Sequence, residues 1–340
     1  MRGRAADVTV GIPTRNRSQL LGRAIESVLG QRYPNFRLVV SDNASDDDTP
    51  SVVAAFRDPR LVYRPLRHDI GRAANTNRLI GLADTEFVVV LADDDELLPE
   101  HLALTLDALK RRPTLGMAQS GCVVLDARGN TLVAHARLMD TKRPIAFESG
   151  GRFLERCMTS EWTVCFSSAT FRRAALVGGG GLRPEDGVID DLPLMMRIAL
   201  DWDFAYVNRP LAVKRAHDEA SSSSIGSLTA EGWRPARSLP DLLYEYRRTF
   251  LAEADLPATE VRRLARMARI QNLSMRGSTG ERSGRLLEEL GREMRRDPRL
   301  ALYPRTLRFV IGQLGARRLR DRMRRAQAPV RGRRESRFPV

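Results

Sequence analysis

The chain has 340 residues, 42% of them apolar, enough for a real core in one large or two modest domains. No stretch approaches the roughly 20 apolar residues of a membrane-spanning helix, and Met1–Asp7 lacks the apolar run of a secretory signal, so a cytoplasmic location is expected. Lys and Arg total 56 against 42 Asp and Glu, a net charge of +14. All of that surplus lies between Glu231 and Val340, where 27 Arg meet 13 acids, while the first 230 residues are neutral. Such asymmetry points to an anionic partner for the C-terminal third, a membrane surface or a nucleic acid. Cys122, Cys157 and Cys165 are odd in number and lack metal-ligand spacing, which reads as reduced core thiols.

In chain order, Val8–Ile12 is a short apolar strand stopped by Pro13 and followed by the turn Thr14-Arg15-Asn16-Arg17. Ser18 is a candidate N-cap for a helix with Leu20, Leu21, Ala24, Ile25, Val28 and Leu29 on one face, ended by Gly30. Phe36–Val40 is a buried strand that runs into a polar loop, Ser41 to Thr49, and Pro50 opens a helix through Phe56. Leu61–Tyr63 is a short strand, Asn75–Ala83 a helix, and Phe87–Ala92 a Val-rich strand. Alternating strands and helices with short connections predict right-handed βαβ units and a mostly parallel sheet. The loops after Ile12, Val40 and Ala92 then share one edge, the edge where open α/β sheets bind ligands. No G-x-G-x-x-G or Walker pattern follows a strand, which argues against a dinucleotide dehydrogenase or a P-loop enzyme.

Asp93, Asp94 and Asp95 follow the last of those strands directly. A buried strand cannot hold three carboxylates, so they must emerge at its C-terminal end. Clustered hard oxygens there suit Mg²⁺ or Mn²⁺, which would in turn hold phosphate oxygens. The plainer reading is an acidic loop capping a helix over Pro99–Leu109.

Beyond it, Met117–Leu125 and Thr131–Ala136 read as a hairpin, Phe147–Thr159 as a helix, Val164–Phe171 as a strand and Arg172–Val177 as a short helix. Asp190-Asp191 open an amphipathic helix, and Phe204–Val207 and Leu211–Val213 read as two short strands. Ala220–Ser227 reads as a linker. Leu239–Ala254, Ala258–Met275, Arg282–Asp297 and Thr306–Ala326 are predicted helices, and Gln327–Val340 is rich in Arg, Gly and Pro and is expected to be disordered.

Several segments resemble family 2 glycosyltransferases. Val8 to Arg17 resembles the family's Ile-Pro-Thr-x-Asn-Arg opening strand, and Ala24 to Gln31 the helix after it. Val40 to Thr49 resembles its Val-x-Asp-Asn-x-Ser-x-Asp-x-Thr loop, Gly71 and Asn77 fall at the expected spacing, and Asp94 to Pro99 matches Asp-Asp-x-x-x-Pro. The resemblance covers about residues 7 to 110 closely and 165 to 220 loosely. It implies an α/β GT-A fold (a Rossmann-like, mostly parallel sheet flanked by helices) over residues 1–225. A basic helical region, 226–326, and a disordered tail, 327–340, would follow.

The resemblance also implies inverting transfer of one sugar from a nucleoside diphosphate sugar, UDP ahead of TDP and GDP, to a hydroxyl acceptor, lipid-linked or a glycan. Pro13, Thr14, Arg15, Asp42, Asn43, Arg72, Asn77, Asp93 and Asp94 would border the donor. Asp95 with Asp94, and His217 more weakly, would hold Mg²⁺ or Mn²⁺. Asp191 would be the base, with the adjacent Asp190 raising its pKa, and Glu185 and Asp186 are the rivals. Two departures are Ala92, where the family commonly has Asp, and Thr76, where it often has Arg.

The alternative reading is a transferase domain that has lost catalysis and binds membrane or nucleic acid through its basic helices. Nucleic-acid readers interleave aromatics or carry a recognised module, and neither appears here. Thr306–Ala326 suits an interfacial helix on anionic lipid at the inner membrane face, or a helix packed on the core. A nucleotidyltransferase would carry a Gly-rich basic loop after its first strand, which Ile12-Pro13-Thr14-Arg15-Asn16 lacks.

Overall fold

The computed structural model of the chain describes residues 6–126, 128–135, 143–159, 165–215, 226–229, 232–235, 239–278 and 283–296. Two compact units divide it, Met1–Ala265 and Arg266–Val340. The first is an α/β unit on a ten-stranded sheet of order β3-β2-β1-β4-β9-β6-β10-β5, with β7 on β6 and β8 on β10.

Its first half follows the predicted βαβ pattern. β1 (Val8–Thr14), β2 (Phe36–Asp42), β3 (Leu61–Pro65) and β4 (Phe87–Val90) are mutually parallel neighbours. α1 (Ser18–Leu29), α2 (Thr49–Ala54) and α3 (Arg72–Leu82) connect them. Val8, Val10 and Ile12 of β1 and Leu21, Ala24, Ile25 and Val28 of α1 have no exposed surface. Burying each large side chain contributes about 1.5–3 kcal/mol, so this β1–α1 seam alone anchors the edge above it. Gly11 lets α3 close on β1: a Cβ there would lie 1.9 Å from Leu79 Cδ2.

The second half is mixed. β5 (Glu96–Leu97) precedes α4 (His101–Lys110), and β6 (Leu115–Leu125) forms the predicted hairpin with β7 (Thr131–His135). β8 (Ile145–Glu148) then α5 (Gly150–Met158) replace the single helix expected over 147–159. Ser149 caps α5 by accepting the Arg152 N–H, so the helix begins only after it. The expected strand over 164–171 is a short 3₁₀ turn, Phe166–Ser168, leading into β9 (Ala169–Arg172), which is antiparallel to both β4 and β6. α6 (Arg173–Gly178), a 3₁₀ segment Pro184–Ile189 and α7 (Asp191–Ile198) follow.

The two short strands expected near 204 and 211 are one strand, β10 (Asp203–Arg215), parallel to β6 with register shifts around Pro210. Proline cannot donate to a ladder and is tolerated at such a bulge. β11 (Gly226–Thr229) pairs with β12 (Gly232–Pro235), so the expected linker is partly strand. α8 (Leu239–Glu253), α9 (Ala258–Ser278) and α10 (Ser283–Arg296) complete the described elements. The helix expected over 306–326 and the tail lie outside the described residues. No helix among the described residues is long and apolar enough to cross a membrane. All three cysteines are buried and free.

His101 is fully buried at the start of α4, 3.4 Å from both Ser120 Oγ and Thr170 Oγ1. Burial holds its pKa down at about 3, against an ordinary 6.5. It is thus neutral when folded, while the unfolded chain takes up its proton below pH 6.5. Stability supplied by this residue is lost as pH falls from about 6.5 toward 3. Urea unfolding at pH 7 and pH 4.5 should show wild type losing about 2–3 kcal/mol relative to His101→Gln across that interval. An equal loss in both proteins would refute the assignment.

Candidate active site

The parallel strands β1, β2 and β4 end together, and their following loops meet at one edge. The Asn43 N–H donates to the Thr14 carbonyl at 2.9 Å, and the Leu91 N–H to the Gly11 carbonyl at 2.9 Å. These backbone bonds set Thr14, Asp42 and the Asp93–Asp95 turn side by side. Thr14 Oγ1 donates to Asp93 Oδ2 at 2.8 Å, and Arg17 Nη1 lies 3.3 Å from Asp94 Oδ2.

Asp42 is 2% exposed. Its Oδ1 accepts from the backbone and hydroxyl of Ser45, and its Oδ2 from the Tyr63 hydroxyl. That leaves Oδ2 one lone pair for a ligand donor. Asn43 Oδ1 accepts the Ile70 N–H at 3.0 Å, while its amide and the Arg15 guanidinium both reach Asp69. Pro13 lies within β1, opposite Ser41 of β2. Pro13, Thr14, Arg15, Asp42 and Asn43 are therefore neighbours, as are Asp93, Asp94 and Asp95.

Two residues expected near the donor bond to other parts of the chain. Asn77 donates to the Leu182 carbonyl at 2.7 Å and accepts the Leu182 N–H at 2.8 Å, tying α3 to the chain ahead of residue 184. Arg72 makes a two-pronged ion pair with Asp190, at 3.2 and 2.7 Å. Thr76 Oγ1 bonds back to the Arg72 carbonyl.

The acids differ in environment. Burial lifts the Asp93 pKa to about 6, against the pull of Thr14 and Arg17. Asp95 is 4% exposed, and burial, reinforced by Cys165 and Asp94, pushes it well above the carboxylate range. Ser167 and Lys214 pull it back, and the Arg215 N–H lies 3.3 Å from its Oδ1. Asp190 is raised to about 6 by burial despite Arg72. Asp191, at the start of α7, is raised by burial, with Lys214 and Arg72 opposing. Its Oδ1 accepts the Leu192 N–H at 2.9 Å. The rival Asp186 faces Arg197 at 3.3 Å. Glu185 is exposed.

Lys214 had no role in the sequence reading, yet it is the group common to both sides of the site. Its ammonium acts on Asp95 and Asp191, and it is held protonated by Cys165, Asp95, Asp191 and Cys122. The parallel register of β10 on β6 pairs Ala212 with Cys122 and Lys214 with Val124, which places the lysine on the face that carries the thiols. The Cys122 thiol bonds to Cys165 and, with Lys214, favours the Cys165 thiolate. A lone lysine ending the apolar run Leu211-Ala212-Val213 is the signal that could have found it. Tyr63 carries no comparable signal, because only strand pairing brings it to Asp42.

Among the described residues no group of three or more His, Cys, Asp or Glu forms a ready metal cage. Adjacent Asp94 and Asp95, the latter nearly dry, fit the other mode, in which one or two carboxylates share a divalent ion with substrate phosphates. His217 lies outside the described residues.

Residues 9–176 match the family described as Glycosyl transferase family 2. A Campylobacter jejuni protein named GalNAc(5)-diNAcBac-PP-undecaprenol beta-1,3-glucosyltransferase is 41% identical over 100 residues, 28% of this chain and 32% of that protein. The chain spans about a third of the length of the first curated relatives it matches. Among solved structures, S. aureus TarS 1-349 in complex with UDP-GlcNAc superposes with a TM-score of 0.61 at 18% identity, over 81% of this chain and 74% of that one. The mannosyltransferase PcManGT from Pyrobaculum calidifontis, in complex with GDP-Man and Mn²⁺, gives 0.52 at 20% identity over 92% and 85%. Both likenesses carry the GT-A fold.

The raised pKa of Asp93 makes a stability prediction. A carboxyl at about 6 when folded and 3.8 when unfolded penalises the fold above pH 6, and the penalty fades as pH falls through 6 toward 4. Asp93→Asn in EDTA should therefore stabilise the chain by about 1–2 kcal/mol at pH 8 and by much less at pH 4.5. Chemical unfolding at the two pH values checks it; no gain at pH 8 would contradict the burial argument.

Proposed function

This chain belongs to glycosyl transferase family 2, and from that premise we propose that it moves one sugar, with inversion, from a nucleoside diphosphate sugar to a hydroxyl acceptor. The observation that carries the reading is the meeting of two acid groups around Lys214. Asp93 bonds to Thr14 beside Asp42, and Asp191 at the start of α7 shares with Asp95 the charge of Lys214.

Asp42, held by Tyr63 and Ser45, presents its remaining lone pair to a base N–H, with Pro13, Thr14, Arg15 and Asn43 around the nucleoside. Asp94 and Asp95 would hold Mg²⁺ or Mn²⁺. When bound, the ion offsets charge on the departing diphosphate. Asp191 Oδ2 takes the proton of the acceptor hydroxyl. The acceptor's oxygen forms the new bond to the anomeric carbon as the bond to the nucleoside diphosphate breaks. Burial makes Asp191 a stronger base than an exposed aspartate. The charge of Lys214 favours its ionised form.

UDP is the leading carrier, ahead of TDP and GDP, supported by the UDP-GlcNAc in the TarS complex, with the GDP-Man of the archaeal neighbour as the counterexample. The undecaprenol in the Campylobacter relative's name supports a lipid-linked or glycan acceptor, in polysaccharide or glycolipid assembly. The basic residues after 231 would then serve at an anionic inner membrane face.

Thermal shift with UDP, TDP and GDP, each with and without Mn²⁺, tests the donor site. UDP with Mn²⁺ at a hundred times its Kd should stabilise wild type by about 2.7 kcal/mol. Asp95→Asn should lose that shift, and Asp191→Asn should keep it while losing transfer. No shift with any nucleotide would sink the reading. For the membrane, full-length protein should pellet with phosphatidylserine vesicles at 50 mM salt and release at 500 mM. Absence of pelleting at both would remove the lipid surface from the account.

A further inference from the structure

Arg72 opens α3, and α3 starts from the same sheet edge as the donor pocket. Its Nη1 lies 3.2 Å from Asp190 Oδ1, its Nη2 2.7 Å from Oδ2, and Nη2 also donates to the Gly187 carbonyl at 3.0 Å. The Asp190 side chain is 4% exposed and the Arg72 side chain 49%. The bonded edge of the guanidinium is thus committed to protein, 118 residues away in sequence.

We propose that Arg72 is a positioning residue: through its fork on Asp190 it fastens the start of α7, and with it the adjacent base Asp191, to the donor half of the site. The inference rests on Asp191 being the base. It reassigns two acids and one cation. Arg72 is not a phosphate ligand, and Asp190 does not take a proton from the acceptor. Only Asp191 faces the reaction.

Both ends of this tie are themselves fixed. On the donor side, the Gly71 N–H donates to Asp69 Oδ1 at 2.8 Å, and Asp69 also receives Asn43 and Arg15. Gly71 has φ +83, a left-handed turn that favours glycine and aims the helix start at the far loop. Arg72 is therefore continuous, bond by bond, with the residues beside Asp42.

On the acceptor side, Asp190 is the N-cap residue of α7, yet its side chain makes no cap bond. A free aspartate at that position ordinarily caps the helix, so the carboxylate has exchanged that role for Arg72. The segment before it turns at Gly187, φ +67, and the Tyr246 hydroxyl holds the Asp186 carbonyl from α8. A two-pronged guanidinium–carboxylate pair fixes direction as well as distance, which a lysine cannot do. A base displaced by about 1 Å loses on the order of 100-fold in rate, so such a fixture is worth its buried charge.

The test uses the full chain with Arg72→Gln, Arg72→Lys and Asp190→Asn. In Arg72→Gln, hydrogen exchange over 184–194 should quicken at least ten-fold, with β1 and β2 unchanged. Arg72→Lys should recover part of that protection, and Asp190→Asn should reproduce the loss. UDP with Mn²⁺ should bind every variant within two-fold of wild type by calorimetry. Release of UDP from UDP-glucose or UDP-GlcNAc to water should fall at least ten-fold in kcat with donor KM unchanged. If Arg72→Gln does not fold, as its melting curve will tell, Arg72→Lys carries the comparison. Unchanged exchange over 184–194, or a ten-fold loss of UDP affinity with kcat retained, overturns the proposal. A wild type that binds no UDP defeats the donor reading alone, and the exchange comparison still decides whether Arg72 holds α7.

Discussion

Five carboxylates are coupled through charge: Asp95 and Asp191 both act on Lys214, and Asp93, Asp94 and Asp190 flank them in the chain. Two like charges about 4 Å apart repel by roughly 4 kcal/mol at the effective dielectric of a protein surface, so such a group cannot be assembled without counter-charge. The chain supplies it from three separate elements. Arg17, just ahead of α1, faces Asp94; Arg72 of α3 grips Asp190; Lys214 of β10 serves both Asp95 and Asp191. The architecture is largely the means of bringing these three cations to acids that arrive from other parts of the chain.

The balance is incomplete. Asp93 and Asp190 stay near 6 even with their partners, and Asp95 and Asp191 are raised as well. Perturbed acids cluster at working sites because the task requires groups poised to bind a cation or take a proton. Elsewhere in the same unit a buried carboxylate has two close partners on one of its oxygens. Glu148 Oε2 accepts from both Arg156 and the Tyr206 hydroxyl, joining β8, α5 and β10 without any residue of the site.

The donor half was legible because its signals are local. Val8–Ile12, Phe36–Val40 and Phe87–Ala92 are apolar runs that end in polar loops, and parallel pairing then forces those loops onto one edge. The other half was read less well for definite reasons. β8 spans four residues, too short for a period of two to stand out before α5. β10 runs through Asn208-Arg209-Pro210, which looks like a break until β6 is present to tolerate the bulge. The antiparallel insertion of β9 between β4 and β6 has no counterpart in a βαβ pattern. Arg72 and Asp190 are each ordinary helix-start residues, and nothing local pairs them.

The sheet is unbroken from β3, whose Tyr63 reaches Asp42, to β10, which carries Lys214. Enzymes that close around a substrate by swinging two lobes need a seam where few bonds cross, and a continuous ladder has none. Opening along β4, β9, β6 and β10 would break a row of backbone pairs at once. Under the proposed function, entry and release would therefore fall to segments outside that ladder. Turnover, where release limits it, would follow the local opening of those segments rather than any rotation of halves.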